Sequence, residues 1–171
     1  MFAKLVLVAS VVCWLCLCAD ASVFKDCGSK LSKVSSVVVN PCPSEPCPLI
    51  VNHNSTVSIT FTPSQDIVGG SARVHGVIAH VSVPFSLPDT TLCPHITPSG
   101  CPLKSGQQQT YTFTIPISST YPRVKTIFSI NTLQISVIIR WELVDQNGQD
   151  IVCIDFPAKI VSQYYRSRSL E

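Results

Sequence analysis

The side chains that could do chemistry in this chain are four histidines, ten carboxylates and nine cysteines. Histidine is the natural general base near neutral pH. His53, His75, His80 and His95 stand apart in the sequence, so any partnership with a carboxylate has to be made by folding. No motif frames them. There is no G-x-S-x-G elbow for a serine nucleophile, no H-E-x-x-H pair for a catalytic metal and no glycine-rich loop for phosphate. His80 shares a period-two face with Ala72, Val74 and Ile78, which reads as packing. Neither catalysis nor a cofactor or metal is expected.

The cysteines carry more information once the compartment is read. Lys4 precedes an apolar run from Leu5 to Cys18, and Ala19-Asp20-Ala21 supplies a small-x-small site. This is the form of a secretory signal peptide over residues 1–21, with a run shorter than the ~20 residues of a spanning helix. Cleavage after Ala21 removes Cys13, Cys16 and Cys18 and leaves six cysteines in 150 of the 171 residues. An even number in an oxidising route implies disulfides. Proximity favours Cys42 with Cys47 across PSEP and Cys93 with Cys101 across PHITPSG, leaving Cys27 and Cys153. None of the six has C-x2-C spacing, and oxidised pairs offer no thiolate, which argues against zinc. Asn54-Ser55-Thr56 is an N-glycosylation sequon, expected on a surface turn.

Charge is sparse: 13% of residues are charged and the formal net charge is +2. No basic stripe suits a nucleic acid; only Arg166 and Arg168 cluster, in a polar tail at 163–171. What remains is one domain, residues 22–162, expected as a monomer.

The elements that must position these residues follow period two. Val57, Ile59 and Phe61 alternate with Ser58, Thr60 and Thr62, and Tyr111 to Ile115 repeats the pattern. Val34–Val39, Ala72–Phe85, Val137–Val144 and Ile151–Ile160 are rich in β-branched residues, and Asn147-Gly148 is a strong hairpin signal. No segment carries a capped 3.6-residue period. The expectation is an all-β, immunoglobulin-like two-sheet sandwich.

FKDCG (24–28), NPCPSEPCPL (40–49), VHG (74–76), VPFSLP (83–88), the Cys101-Pro102 pair, TYPRVK (120–125) and WEL (141–143) occur in one order. In that order, and with this cysteine pattern, the chain resembles the ML lipid-recognition family, in particular its Niemann–Pick type C soluble sterol-binding branch. The resemblance spans residues 22–162. It implies three disulfides (Cys27–Cys153, Cys42–Cys47, Cys93–Cys101) and an apolar pocket between the sheets for cholesterol or a related sterol. It implies a protein that is secreted or delivered to the lysosomal lumen. There it would transfer cargo to the large Niemann–Pick type C membrane protein or to anionic lysosomal membranes.

The family's sterol-binding positions fall here on Val83, Phe85, Ile117, Tyr121, Pro122 and Trp141. Its exposed membrane or partner knob falls on His75, Gly76, Val77 and Ile78. His75 would gain charge near lysosomal pH and favour an anionic surface. Taken alone, Trp141 reads as core, while Phe85 and Tyr121 on proline-punctuated turns fit packing or a pocket mouth. The chain departs from the family after Lys125, where TIFSINTLQISVIIR precedes Trp141. The addition, residues 126–136, reads as an extra loop, an edge hairpin or a splicing or gene-model artefact, and either TIFSI or SVIIR continues the tryptophan strand. Arg140 also stands where the family has an acidic residue. Two other functions fit the same pattern: a carrier of phospholipid, fatty acid or bacterial lipid, and a surface-recognition sandwich without cargo.

Overall fold

The structure is a computed structural model and describes residues 22–118 and 134–161. Its strands are β1 (Lys25–Asp26), β2 (Ser32–Asn40), β3 (Cys47–Ile50), β4 (Asn54–Pro63) and β5 (Gly70–Ile78). They continue with β6 (Val81–Phe85), β7 (Ile96–Thr97), β8 (Gln109–Pro116), β9 (Gln134–Asp145) and β10 (Asp150–Val161). One sheet runs β1-β10-β9-β5-β6, with β3 added in parallel on β10; the other runs β2-β4-β8-β7. Among the described residues the only helical turn is the 3-10 segment Cys93–His95, and no helix is long and apolar enough to cross a membrane. The expected all-β sandwich is the observed architecture.

Alternation decides which side chains meet between the sheets. In β4, Val57, Ile59 and Phe61 face inward; on the neighbouring β8, Phe113 lies opposite Val57, Tyr111 opposite Ile59 and the buried Gln109 opposite Phe61. The outward positions of these strands form a hydroxyl ladder: Thr56 with Thr114 at 2.9 Å, Ser58 with Thr112 at 3.2 Å and Thr60 with Thr110 at 3.2 Å. Such cross-strand pairs each stabilise an antiparallel sheet by a few tenths of a kcal/mol to about 1 kcal/mol. In the larger sheet Val137, Ile139, Trp141 and Leu143 of β9 face inward beside Ile154, Phe156 and Ala158 of β10.

The Asn147-Gly148 signal does join β9 to β10. Gly148 adopts φ 78°, and Asp145 accepts hydrogen bonds at its carboxylate from the backbone N–H groups of Asn147 and Gln149. Gly70 begins β5 where any Cβ would collide with the Val144 carbonyl, so glycine permits the close approach to β9.

Two sequence expectations need correction. Ala72–Phe85 is not one strand but the hairpin β5–β6, turning at Ala79 and His80 with φ 47° and 68°. Two-residue turns of this hand need positive φ at both positions and usually advertise it with Asn or Gly, which are missing here. For the same reason His80 is exposed in the turn rather than packed. In the added segment Gln134, Ile135 and Ser136 pair with Val161, Ile160 and Lys159, so SVIIR continues the tryptophan strand. The TIFSI alternative lies outside the described residues. Arg140 is explained by register, because it sits opposite Asp155 and donates two hydrogen bonds of 2.8 Å to that carboxylate.

The disulfides tie these parts together. Cys27–Cys153 clips β1's end to β10, Cys42–Cys47 closes the loop into β3, and Cys93–Cys101 closes the loop around β7.

Candidate functional site

At one end of the sandwich the two sheets leave a cavity of about 50 Å³. Its cause is a missing side chain. Gly76 lies opposite Val83 on β6 and Ile139 on β9, and all three line the space. A Cβ built on Gly76 would reach 3.3 Å from Val137 Cγ2. Ile78, Pro84 and Phe85 form one lip, on the edge hairpin. Ile117, just past β8, forms the other, held by a hydrogen bond from its N–H to the His53 carbonyl and one to its carbonyl from the Asn52 N–H. Leu49 and Ile160 complete the wall, so no charged side chain lines it.

Deeper along β8 and β9 lies an aromatic layer. Trp141 is fully buried and meets Tyr111 edge-on at 6.0 Å and Phe113 at 6.2 Å. His95 stands against Phe113 at 4.7 Å and bonds the Asp89 carboxylate through Nε2 at 3.0 Å. Thr91 also donates its hydroxyl and its N–H to Asp89. These donors, Thr91 first and then His95, hold the Asp89 pKa down at about 2. The carboxylate thus receives both the hydroxyl and the imidazole, and no base faces a nucleophile here. Burial pushes the Tyr111 phenol above its ordinary range, and the nearby Asp89 charge adds to that shift. Among the described residues, Tyr111 Oη and Trp141 Nε1 are buried without a hydrogen-bond partner. The one cluster of possible metal ligands among the described residues is Cys42, Glu45 and Cys47, whose two sulfurs are bonded to each other.

The sterol-binding positions implied by the resemblance divide. Val83, Phe85 and Ile117 meet at the cavity. Trp141 does not line it; it lies two residues further in from Ile139, within the aromatic layer. Tyr121 and Pro122 lie outside the described residues. The four knob positions do not form one exposed surface, because alternation separates them. Gly76 and Ile78 turn inward to the cavity, whereas His75 and Val77 face outward, with His75 Nδ1 3.4 Å from Glu142. The exposed apolar tip of this hairpin is instead Val81, at 63%. Asn54 is exposed at the start of β4.

Sequence reasoning missed Leu49, Pro84, Val137, Ile139 and Ile160. Parity would have found some of them: Val137 and Ile139 share the inward face of Trp141, and Ile160 that of Phe156 and Ala158. Knowing that they lie at one end required the strand pairing. A second concavity, of about 330 Å³, lies on the outer face of the larger sheet beside Val23, Ile138 and Pro157.

The comparisons agree with this architecture. The ML domain profile matches residues 21–160. The ecdysteroid-regulated 16 kDa protein of Manduca sexta is 38% identical over 150 residues, covering 85% of this chain and 93% of the relative. The NPC intracellular cholesterol transporter 2 of Danio rerio is 36% identical over 147 residues, 85% of this chain and 89% of the relative. The crystal structure of a Niemann-Pick type C2 protein from Japanese carpenter ant matches with a TM-score of 0.68 and 33% identity, covering 81% of this chain and 99% of that one. A profile across nearly the whole sandwich and relatives above 30% identity over most of both chains establish that this chain belongs to the ML-domain family.

Proposed function

We propose that this protein is a sterol carrier of the secretory and lysosomal lumen, holding cholesterol or a related sterol between its sheets and handing it to a membrane or a membrane protein. The observation that carries the reading is the uncharged cavity around Gly76, Val83, Phe85 and Ile117 at an open end of the sandwich. The name of the Danio rerio relative, a cholesterol transporter, supports the choice of cargo.

At about 50 Å³ the space is well below the ~300–1,000 Å³ typical of small-molecule sites. A sterol therefore enters only as the walls part. The β5–β6 hairpin is the wall best placed to yield, since β6 is an edge strand bonded on one side only. Closed walls bury one another's apolar surface when no cargo is present, which keeps the empty protein free of a large exposed patch. Burying roughly 400 Å² of ligand surface at about 25 cal/mol/Å² gives on the order of 10 kcal/mol, against association costs of about 4–15 kcal/mol. Parting the walls adds to the cost. The small surplus suits a carrier that must release what it binds.

Release is assigned to the hairpin lip, where Val81 projects next to the cavity. The partners that follow are anionic lysosomal membranes and the large Niemann–Pick type C membrane protein. The narrowness of the cavity favours one second reading, a single-chain fatty acid, which needs less parting than a fused-ring sterol. Native mass spectrometry of the secreted protein, followed by displacement of a fluorescent sterol with cholesterol or oleate, separates the two. Displacement by oleate alone would replace the sterol reading. A protein that carries and binds neither would end both.

A further inference from the structure

We propose that the hollow on the outer face of the larger sheet is a second binding site, taking a single-chain fatty acid whose carboxylate meets Lys25 and whose chain covers Val23 and Ile138. The site is independent of the slot, which lies between the sheets rather than outside them.

The hollow comes from a break in strand pairing. β9 accompanies β10 along one side, but the other side is covered in pieces. β1 meets it at Ile154 and Asp155 and β3 at Ala158–Val161, so among the described residues Phe156 and Pro157 have no strand beside them there. Proline suits such a break, having no N–H to leave unpaired. Ile138 of β9 lies opposite Pro157 and forms the floor, while Val23 and Phe24 of the leading segment form a wall. Ile138 and Val23 are 39% and 66% exposed, two large apolar groups held in water around one concavity. Ile138 also faces Val77 of β5, so an apolar row Pro157–Ile138–Val77 crosses three strands, roughly 10 Å at their usual spacing. At about 330 Å³ the hollow is of small-molecule size without any parting of walls.

Charge on the rim selects the guest. Lys25 and Arg140 stand on either side of Asp155, and Lys159 follows two residues beyond Pro157 on the same face. Arg140 neutralises Asp155 through two bonds of 2.8 Å. The other acid beside the hollow is Glu45, which accepts the Val23 N–H at 2.7 Å. Among the described residues Lys25 and Lys159 enter no ion pair, so cations exceed carboxylates by one. A monoanion with an apolar chain matches that surplus. A flat bilayer cannot follow a concave surface, and a two-chain lipid would leave its second chain in water, whereas one acyl chain lies along the row and covers it.

The test titrates the full, disulfide-intact protein, saturated with cholesterol, with oleate carrying an isotope-labelled carboxylate followed by NMR. One equivalent should bind without displacing the sterol. Ile138→Asp should weaken oleate binding at least about tenfold and Lys25→Glu about fivefold, with cholesterol binding in both within about twofold. Lys25→Glu changes an exposed side chain, so it keeps the test open if Ile138→Asp disturbs the fold. Oleyl alcohol, the same chain without charge, should bind about fivefold more weakly than oleate. Gly76→Val, which fills the slot, should leave oleate binding within about twofold. Oleate excluded by cholesterol, or lost in Gly76→Val, belongs to the slot and overturns the second site. Equal binding of oleyl alcohol overturns the role of the cationic rim, and indifference to both Ile138→Asp and Lys25→Glu overturns the location. Binding to phosphatidylserine–phosphatidylcholine vesicles that Ile138→Asp abolishes, with no affinity for free oleate, makes the face a membrane contact instead. Should cholesterol itself fail to bind, the carrier reading falls, while the Gly76→Val titration still decides the outer site.

Discussion

Gly76→Val offers the sharpest separation of pocket from core. Gly76 is buried on β5, and its missing side chain is what opens the cavity between Val83, Val137 and Ile139. Its φ is not in the left-handed region, so a β-branched residue is allowed on the strand. Three added carbons would take the place of about three ligand methylenes, each worth roughly 0.8 kcal/mol, weakening Kd by about 2.4 kcal/mol or ~50-fold. The change in stability is a difference of two opposing terms. Replacing a strand glycine recovers roughly 0.5–1 kcal/mol. The 3.3 Å approach to Val137 Cγ2 forces a local shift, at a cost of about 1–3 kcal/mol for overpacking. The net change is a loss between about zero and 2.5 kcal/mol, at most roughly 10 °C in Tm. Gly76→Ala, with one added carbon, should weaken binding only about fourfold. Dehydroergosterol titration with thermal melts of the same samples reads both quantities. A folded Gly76→Val protein that binds sterol with wild-type affinity would refute the placement of the cargo at this cavity.

Phe85 is half-buried at the lip, so Phe85→Ala should weaken sterol binding while lowering Tm little; equal losses of both, measured side by side, would make Phe85 a core residue instead. Replacing Cys27 and Cys153 by serine should cost about 5 kcal/mol by the loop-entropy relation, against ~2 kcal/mol for the Cys42–Cys47 pair. The sequence separations are 126 and 5, and denaturant melts that reverse this order would contradict the relation for this fold. Acid stability follows from the carboxylates. The folded Asp89 pKa, about 2, lies below its ordinary 3.8. Its contribution is therefore complete above pH 3.8 and lost as pH falls from there toward 2. Asp145 shifts the same way: burial alone would raise it, but the hydrogen bonds from Gln149, Asn147 and Gly148 together lower it. The protein should thus keep these contributions at pH 5, and Asp89→Asn should shallow the acid limb of a Tm–pH curve below pH 4. An acid limb identical in that variant would remove Asp89 from the account.

Period-two patterning along β4, β8, β9 and β10 determined the fold class, because a sheet with one buried face requires alternation. The Asn147-Gly148 turn and the short-range cysteine pairs were equally legible, since their constraints act between near neighbours. What the residues did not announce were features made by pairing at a distance. The Ala79-His80 turn lacks the usual glycine or asparagine, so the β5–β6 hairpin looked like one strand. Alternation along β5 splits His75–Ile78 between two faces, and the strand pairing brings Gly76 and Ile78 into the slot rather than onto a knob. Leu49, Val137 and Ile160 are ordinary inward residues until β3, β9 and β10 are registered at the same end of the sandwich. Local chain chemistry selects strands and turns; a cavity is a gap between strands far apart in the chain, and only their packing decides where a missing side chain leaves room.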